Sequence, residues 1–249
     1  QLRRRFDAAK LYGKRVTLHV GDAVTFKAPP YLANLIVVGE SAVAQLRNPV
    51  ALRAAFESLR PYGGAMWLPV TGEAAAEFLR LIDEAKLEQA KVQTADTHVL
   101  LTRAGPLPNA ADWTHQYGDI GNTVKSDDAR VRAPLGLLWF GGNSNLDVLP
   151  RHGHGPPEQV IGGRMVLQGM DSFSARDVYT GRLLWKTEFT NLGTFGIYFD
   201  KSYTNTPLST AYNQKHIPGA NGRGANYVAT EDAVYVAVGS ACQVLDART

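Results

Sequence analysis

Gly163 to Trp185 reads GRMVLQGMDSFSARDVYTGRLLW, and the fold is decided on this stretch. Met165-Val166-Leu167 is an apolar strand, a short turn passes through Met170-Asp171, and a second strand reaches Ala175. A tight turn follows at Asp177-Val178-Tyr179-Thr180-Gly181, and a third strand ends on Leu183-Leu184-Trp185. Three short strands joined by turn residues make most of one sheet in an all-β array. The turn has its own chemistry. Asp177 is placed to accept from backbone N–H groups two or three residues on, Thr180 offers a second side-chain bond, and Gly181 can take a positive φ. Trp185 then presents a large flat apolar face to whatever packs beside the sheet. An ordinary hairpin has the same ingredients, so this stretch alone leaves both readings open.

Repetition separates them. Val234 to Val238, a turn at Gly239-Ser240 and Cys242 to Thr249 repeat the pattern, with Met165 to Asp177 and Val234 to Asp246 equally spaced. Thr249 falls where Thr180 does, about 69 residues on, and Leu137-Leu138-Trp139 echoes Leu183-Leu184-Trp185 about 46 residues upstream. The shorter interval is near a propeller blade's period, and the longer one fits a blade carrying a long loop.

Ala175 to Trp185, A-R-D-V-Y-T-G-R-L-L-W, closely resembles the tryptophan-docking motif of β-propellers related to the pyrroloquinoline-quinone (PQQ) dehydrogenases, A-x-D-x-x-T-G-K-x-x-W. Arg182 stands where that motif has Lys. Asp112-Trp113 to Gly118-Asp119 resembles the W-x-x-x-x-G-D segment leading into such propellers, where the Trp is mainly structural. The resemblance implies incomplete PQQ-type blades over residues 106–249, with Leu135 to Phe140 as a further strand. Such propellers are usually periplasmic, which sets that location, with the cytoplasm as the alternative.

Residues 1–105 have a different grammar. A helix from Leu2 to Leu11 stops at Gly13, and a strand runs Arg15 to Val20 up to Gly21-Asp22. The continuous apolar run Leu32 to Val38 predicts a strand buried on both faces. Helices are expected over Pro49–Leu59 and Glu73–Lys91, and strands over Ala65–Pro69 and His98–Thr102. Alternation of this kind predicts a parallel α/β sheet. The chain is thus α/β plus all-β, with a linker at Ala104-Gly105-Pro106-Leu107-Pro108.

The first part resembles the later half of a class I S-adenosylmethionine (SAM) methyltransferase, a Rossmann-like fold. Val20-Gly21-Asp22 follows one strand, and Leu59-Arg60-Pro61-Tyr62-Gly63-Gly64 resembles that family's L-R-P-G-G turn, with Tyr62 where Gly is common. The resemblance implies that Asp22 accepts from the cofactor's adenine amine and that Glu40, past a strand's carboxyl end, faces the substrate crevice. Read without the family, Asp22 is a turn acid satisfying backbone donors.

Composition narrows the rest. With 249 residues, a net charge of +3 and 45% hydrophobic residues, the sequence is that of a globular protein without the basic excess that argues for nucleic acid. No apolar run approaches the roughly 18 residues of a membrane span. The one cysteine, Cys242, excludes an internal disulfide framework and a CxxC metal site. The chain opens with QLRRRFDAAK and stops at Thr249, where the motif expects Gly, and reads as a fragment. Its expected partners are therefore the remainder of the same polypeptide: further blades, and the first half of the α/β domain. Its unpaired sheet edges are expected to favour aggregation.

Arg151-His152-Gly153-His154 is the most chemically suggestive run, because two His one residue apart can share one side of an extended segment. Metal binding, anion or substrate binding beside Arg151, and plain loop hydrogen bonding are all open to it. The loop from Asn191 to Ala225 adds Asn221 and Arg223 as ligand-binding candidates on the propeller face. Three functions follow: a PQQ-like repeat module for binding or scaffolding, a quinoprotein dehydrogenase using PQQ and Ca²⁺, or a SAM-dependent methyltransferase with a propeller recognition domain.

Overall fold

The computed structural model describes residues 1–249 except 23, 27, 116, 143–146, 149–156, 170, 191 and 193–225. These fall into two compact units, residues 1–59 with 65–102, and residues 60–64 with 103–249. No helix among the described residues is long and apolar enough to cross a membrane.

The first unit contains helix α1 (Leu2–Ala8), strand β1 (Leu35–Val37), α2 (Glu40–Leu46), α3 (Pro49–Glu57), β2 (Gly64–Leu68), α4 (Gly72–Glu84), β3 (Ala90–Ala95) and β4 (His98–Arg103). Helix α3 starts where it does because Asn48 Oδ1 accepts from the Val50 and Ala51 N–H groups, at 2.9 and 3.4 Å, with Pro49 in the first turn. Its buried Leu52 and Phe56 meet Met66 and Leu68 of β2, Phe78 of α4, and Val99 and Leu101 of β4 in one apolar core.

The sheet runs β1-β2-β4-β3 and is mixed, not parallel throughout. Strands β1 and β2 are parallel. Strands β3 and β4 are adjacent and joined by two residues, a connection only an antiparallel pair can make. The Gly63 N–H bonds to Arg103 O at 2.8 Å, placing the start of β2 against the end of β4.

Other expectations need correction. Residues 15–20 form no strand; Val16 makes a single bridge to Tyr12, because no neighbouring strand offers a ladder. Strand β1 is not buried on both faces: it is the sheet edge, with Leu35 and Val37 exposed at 59% and 63%. Helix α4 ends at Glu84 instead of Lys91, since Lys86 and Gln89 take positive φ and Asp83 and Glu84 sit at the end of the dipole that disfavours acids. The short helix α2 was not expected.

The second unit is built on two antiparallel sheets. One has the order β5 (Gln159–Ile161), β6 (Arg164–Gln168), β7 (Ser172–Asp177), β8 (Leu183–Glu188); the other has β9 (Tyr227–Ala229), β10 (Ala233–Val238) and β11 (Ala241–Asp246). Their registers superimpose. Met165 faces Arg176 and Val160 as Val234 faces Leu245 and Ala229, and Gln168 faces Phe173 as Ala237 faces Cys242. The described sheets do not close into a barrel or ring.

The Asp177 turn forms as its residues require. Oδ1 accepts from Tyr179 N at 2.9 Å and Thr180 N at 3.0 Å, Arg182 N reaches Thr180 Oγ1 at 3.4 Å, and Gly181 has φ +69°. Asp246 starts the same turn, accepting from Arg248 N at 2.7 Å. The two indoles then do the same thing twice. Trp185 Nε1 donates to Ala247 O at 3.0 Å, and Trp139 Nε1 donates to Val178 O at 2.9 Å. Val178 and Ala247 are each the residue after a motif aspartate. Trp185 is buried with Phe173, Phe189, Tyr227, Val234 and Val236, and Phe173 meets both Phe189 and Tyr227 edge-on. Gln159 adds a polar tie, with Nε2 on Tyr227 O at 2.9 Å and Oε1 on Ala229 N at 2.7 Å.

Residues 135–140, expected as a strand, pair with no strand among the described residues, yet Trp139 still lies over Gly181, where a Cβ would collide with its ring. Buried Arg176 holds the same segment, donating to Gly181 O at 2.7 Å and Gly142 O at 2.8 Å. Trp113 pairs with Val160 through two backbone bonds, extending the first sheet beyond β5.

Trp185→Ala is expected to cost about 3–5 kcal/mol and Trp185→Phe about 1–3 kcal/mol, since the latter keeps most packing but orphans the Ala247 carbonyl. Urea unfolding followed by circular dichroism measures both. Trp139→Ala, at a half-exposed site, should cost less than Trp185→Ala.

Candidate functional site

A cleft with a volume of about 330 Å³ lies in the first unit. Strand β1 and the residues after it form one wall through Ile36, Val38 and Gly39; α2 and α3 add Ala42, Leu46 and Ala55. Phe26 closes a side, its ring 5.1 Å from that of His19. The lining has no ionisable group, and Ser58, its one hydroxyl, donates to Ala55 O at 2.7 Å. Such a cleft suits an apolar group, and the described residues that line it offer neither acid, base nor nucleophile.

Neither predicted carboxylate lines it. Asp22 Oδ1 accepts from Val24 N at 2.9 Å and Thr25 N at 2.8 Å, while its carbonyl takes Phe26 N at 3.0 Å. Asp22 is thus a turn acid, and its turn is what delivers Phe26 to the cleft. The Thr25 backbone N–H, then the Thr25 side chain, hold the Asp22 carboxyl below its ordinary range, with desolvation opposing and Val24 N–H adding to the effect. Glu40 is exposed in the first turn of α2, beside Gly39, a favourable place for an acid. The structure does not bring Asp22 and Glu40 together around the cleft. Arg151, His152, His154, Asn221 and Arg223 lie outside the described residues.

The second unit holds a cluster that the sequence did not suggest. Arg60 pairs with Asp177 Oδ2 and donates to Tyr62 O at 3.0 Å; side-chain exposures of 15% for Arg60 and 2% for Asp177 make this a buried ion pair. Tyr62, at φ +59°, lays its ring on Gly163, which could not carry a Cβ there. Arg164 donates to Glu231 O, and Asp112 Oδ2 accepts from Gly162 N at 3.4 Å. Burial foremost, then Asp112 and Glu231, pushes the Tyr62 phenol up against the pull of Arg164. Burial also leads in raising Asp112, with Glu231 adding to it and the Gly162 N–H and Arg164 opposing. Arg164 is lowered by burial, then by Arg248 and Arg60. Through their contacts these groups tie together residues 60–64, residue 112, the β5–β6 turn and residue 231. The positive-φ tyrosine between Pro61 and Gly63-Gly64 was the only local sign of it.

His98 and His115 each meet a neighbouring hydroxyl, Thr97 at 3.0 Å and Thr114 at 2.8 Å. No group of three or more His, Cys, Asp or Glu side chains is placed to hold a metal among the described residues. Comparison with protein-family models, with curated proteins and with solved structures gave no match.

Asp22 is expected to titrate below the ordinary aspartate value of about 3.9. Its contribution to the turn is therefore present above that value and lost as pH falls through the depressed one, which carboxyl-carbon NMR reads directly. Asp112 has the opposite sign: raised in the folded state, it costs stability once pH climbs through its folded value. Asp112→Asn should raise the melting temperature at neutral pH, and the gain should vanish in acid, where the wild-type carboxyl is protonated.

Proposed function

We propose that the second unit is a PQQ-like propeller repeat module serving as a binding or scaffold domain of a longer protein, joined to a methyltransferase-like α/β unit that does not itself methylate. The observation that carries this reading is the doubled indole contact, Trp139 on Val178 and Trp185 on Ala247, at positions one repeat apart. A single hairpin supports one such contact by accident; two in one register support a device for stacking sheets. Extracytoplasmic placement belongs to the same proposal.

SAM and PQQ fit the described residues poorly. SAM is polar and charged, whereas the cleft beside β1 is apolar and Asp22 spends one carboxylate oxygen on its own turn. PQQ with Ca²⁺ needs several oxygen ligands on one cation, and the described residues bring no three Asp, Glu, His or Cys side chains together for one. No step is routed through either cofactor.

Two titrations on the full-length protein test the proposal. Absorbance titration with PQQ and Ca²⁺, and calorimetry with SAM, should both show no saturable binding. Tight, Ca²⁺-dependent PQQ binding would replace this reading with a quinoprotein dehydrogenase. SAM binding that Asp22→Ala abolishes would replace it with a methyltransferase.

A further inference from the structure

Residues 60–64 belong to the second unit, although the chain up to Leu59 and again from Ala65 belongs to the first. The segment is a closed turn. Gly64 N–H donates to Arg60 O at 2.9 Å, Arg60 Nη1 donates to Tyr62 O at 3.0 Å, and Pro61 restricts the backbone between them. The Tyr62 and Gly63 N–H groups bond to Gly105 O at 3.0 Å and Arg103 O at 2.8 Å. The shape of the turn is thus set by residues 60–64 and 103–105, apart from any contact it makes with the sheets.

The β5–β8 sheet offers this turn a seat. Asp177 Oδ1 is occupied by the Tyr179 and Thr180 N–H groups, and Oδ2 accepts from Arg60 Nε. Gly163 leaves room for the Tyr62 ring, where a Cβ would come within 2.5 Å of Cδ2. The other sheet supplies a comparison. Arg164 faces Asp177 as Ala233 faces Asp246, so Asp232 stands where Gly163 does. The backbone agrees: Ala247 N–H bonds to Asp232 O at 3.0 Å as Val178 N–H bonds to Gly163 O at 3.1 Å. The repeat keeps the turn acid but carries a side chain in place of the glycine, and that side chain is paired with Arg248. Of the two described sheets, only β5–β8 has the seat.

We infer that the β5–β6 and β7–β8 turns form a recognition surface for a tight Arg-Pro-Tyr-Gly turn, and that in this chain they hold residues 60–64 as a strap. The strap fastens the chain before the linker at residues 104–108 to the chain after it, independently of the linker's own peptide bonds. The inference goes beyond the repeat reading and stands on the Arg60–Asp177 and Tyr62–Gly163 contacts. A preformed turn loses little freedom on seating, and a guanidinium donating to a carboxylate adds strength and direction. With Asp177 at 2% and Arg60 at 15% side-chain exposure, removal of either leaves the other charge buried and unpaired.

The test uses the 249-residue chain with a protease recognition sequence inserted after Asn109, an exposed position. After cleavage, residues 1–109 and 110–249 should elute together on size exclusion, with the mass of the uncut chain by light scattering. Arg60→Ala combined with Tyr62→Ala should weaken the association of the pieces about 100-fold or more, because it removes both the ionic partner and the packed ring. Arg60→Lys keeps the charge but not the guanidinium's fixed donors, and should fall between the two. Circular dichroism of each uncut variant shows that its sheets have formed before cleavage. Wild-type pieces that separate on cleavage overturn the inference, as does association left unchanged by the double substitution. If the double variant does not fold uncut, Arg60→Lys decides: pieces that bind more weakly than wild type support the strap, and pieces that bind equally well overturn it.

Discussion

Everything in the second unit hangs on a hydrogen bond between an indole N–H and one backbone carbonyl. A tryptophan at the end of an outer strand can bury its ring against a neighbouring sheet only if its N–H finds an acceptor there, since an unmet donor in that place costs about as much as the contact gains. The acceptor is the carbonyl after the motif aspartate. That carbonyl points the right way because Asp177 Oδ1 has already gathered the Tyr179 and Thr180 N–H groups into a turn. The turn of one sheet is thus the socket for the tryptophan of the sheet before it. Glycine at 181 is required twice over, for its positive φ and because Trp139 occupies the space a side chain would need.

The same aspartate works in both directions. Its second oxygen receives Arg60, more than a hundred residues away in sequence, so the turn is both a local closure and an anchor for residues 60–64. Tyr62 on Gly163 reinforces that anchor through packing, and Arg164, Asp112 and Glu231 surround it with partly buried charge. The charges here attach distant parts of the unit to one another. Asp177 is spent on its turn and on Arg60, Asp112 accepts from the Gly162 N–H, and Arg164 donates to the Glu231 carbonyl.

What could be read from the sequence follows from the range of the forces involved. The Asp177 turn, the helix beginning at Pro49, and the hairpin repeated at Val234 depend on residues within a few positions of each other, and all form as their chemistry dictates. Strand β1 was misjudged because four consecutive apolar residues, Leu35 to Val38, say nothing about whether a neighbour covers them. The sheet is mixed for a related reason: alternation of helix and strand continues through α4, and then β3 and β4 follow in succession as an antiparallel pair. Asp22 was legible as a turn acid satisfying backbone donors, and it accepts from the adjoining Val24 and Thr25 N–H groups. Arg60 was invisible as a partner of Asp177, since nothing local joins them.

The matching registers of the two sheets bear on how such a chain can change over evolutionary time. Although the spacing between repeats is longer than a compact blade needs, Val234 still faces Leu245 as Met165 faces Arg176. Registration is thus fixed by the strands and their indole sockets, not by the length of chain between Glu188 and Tyr227. Closing a longer connection costs little, about 0.6 kcal/mol for each doubling. The length of that interval can therefore change while the sheets stay in step, so long as Phe189 keeps its place against Phe173.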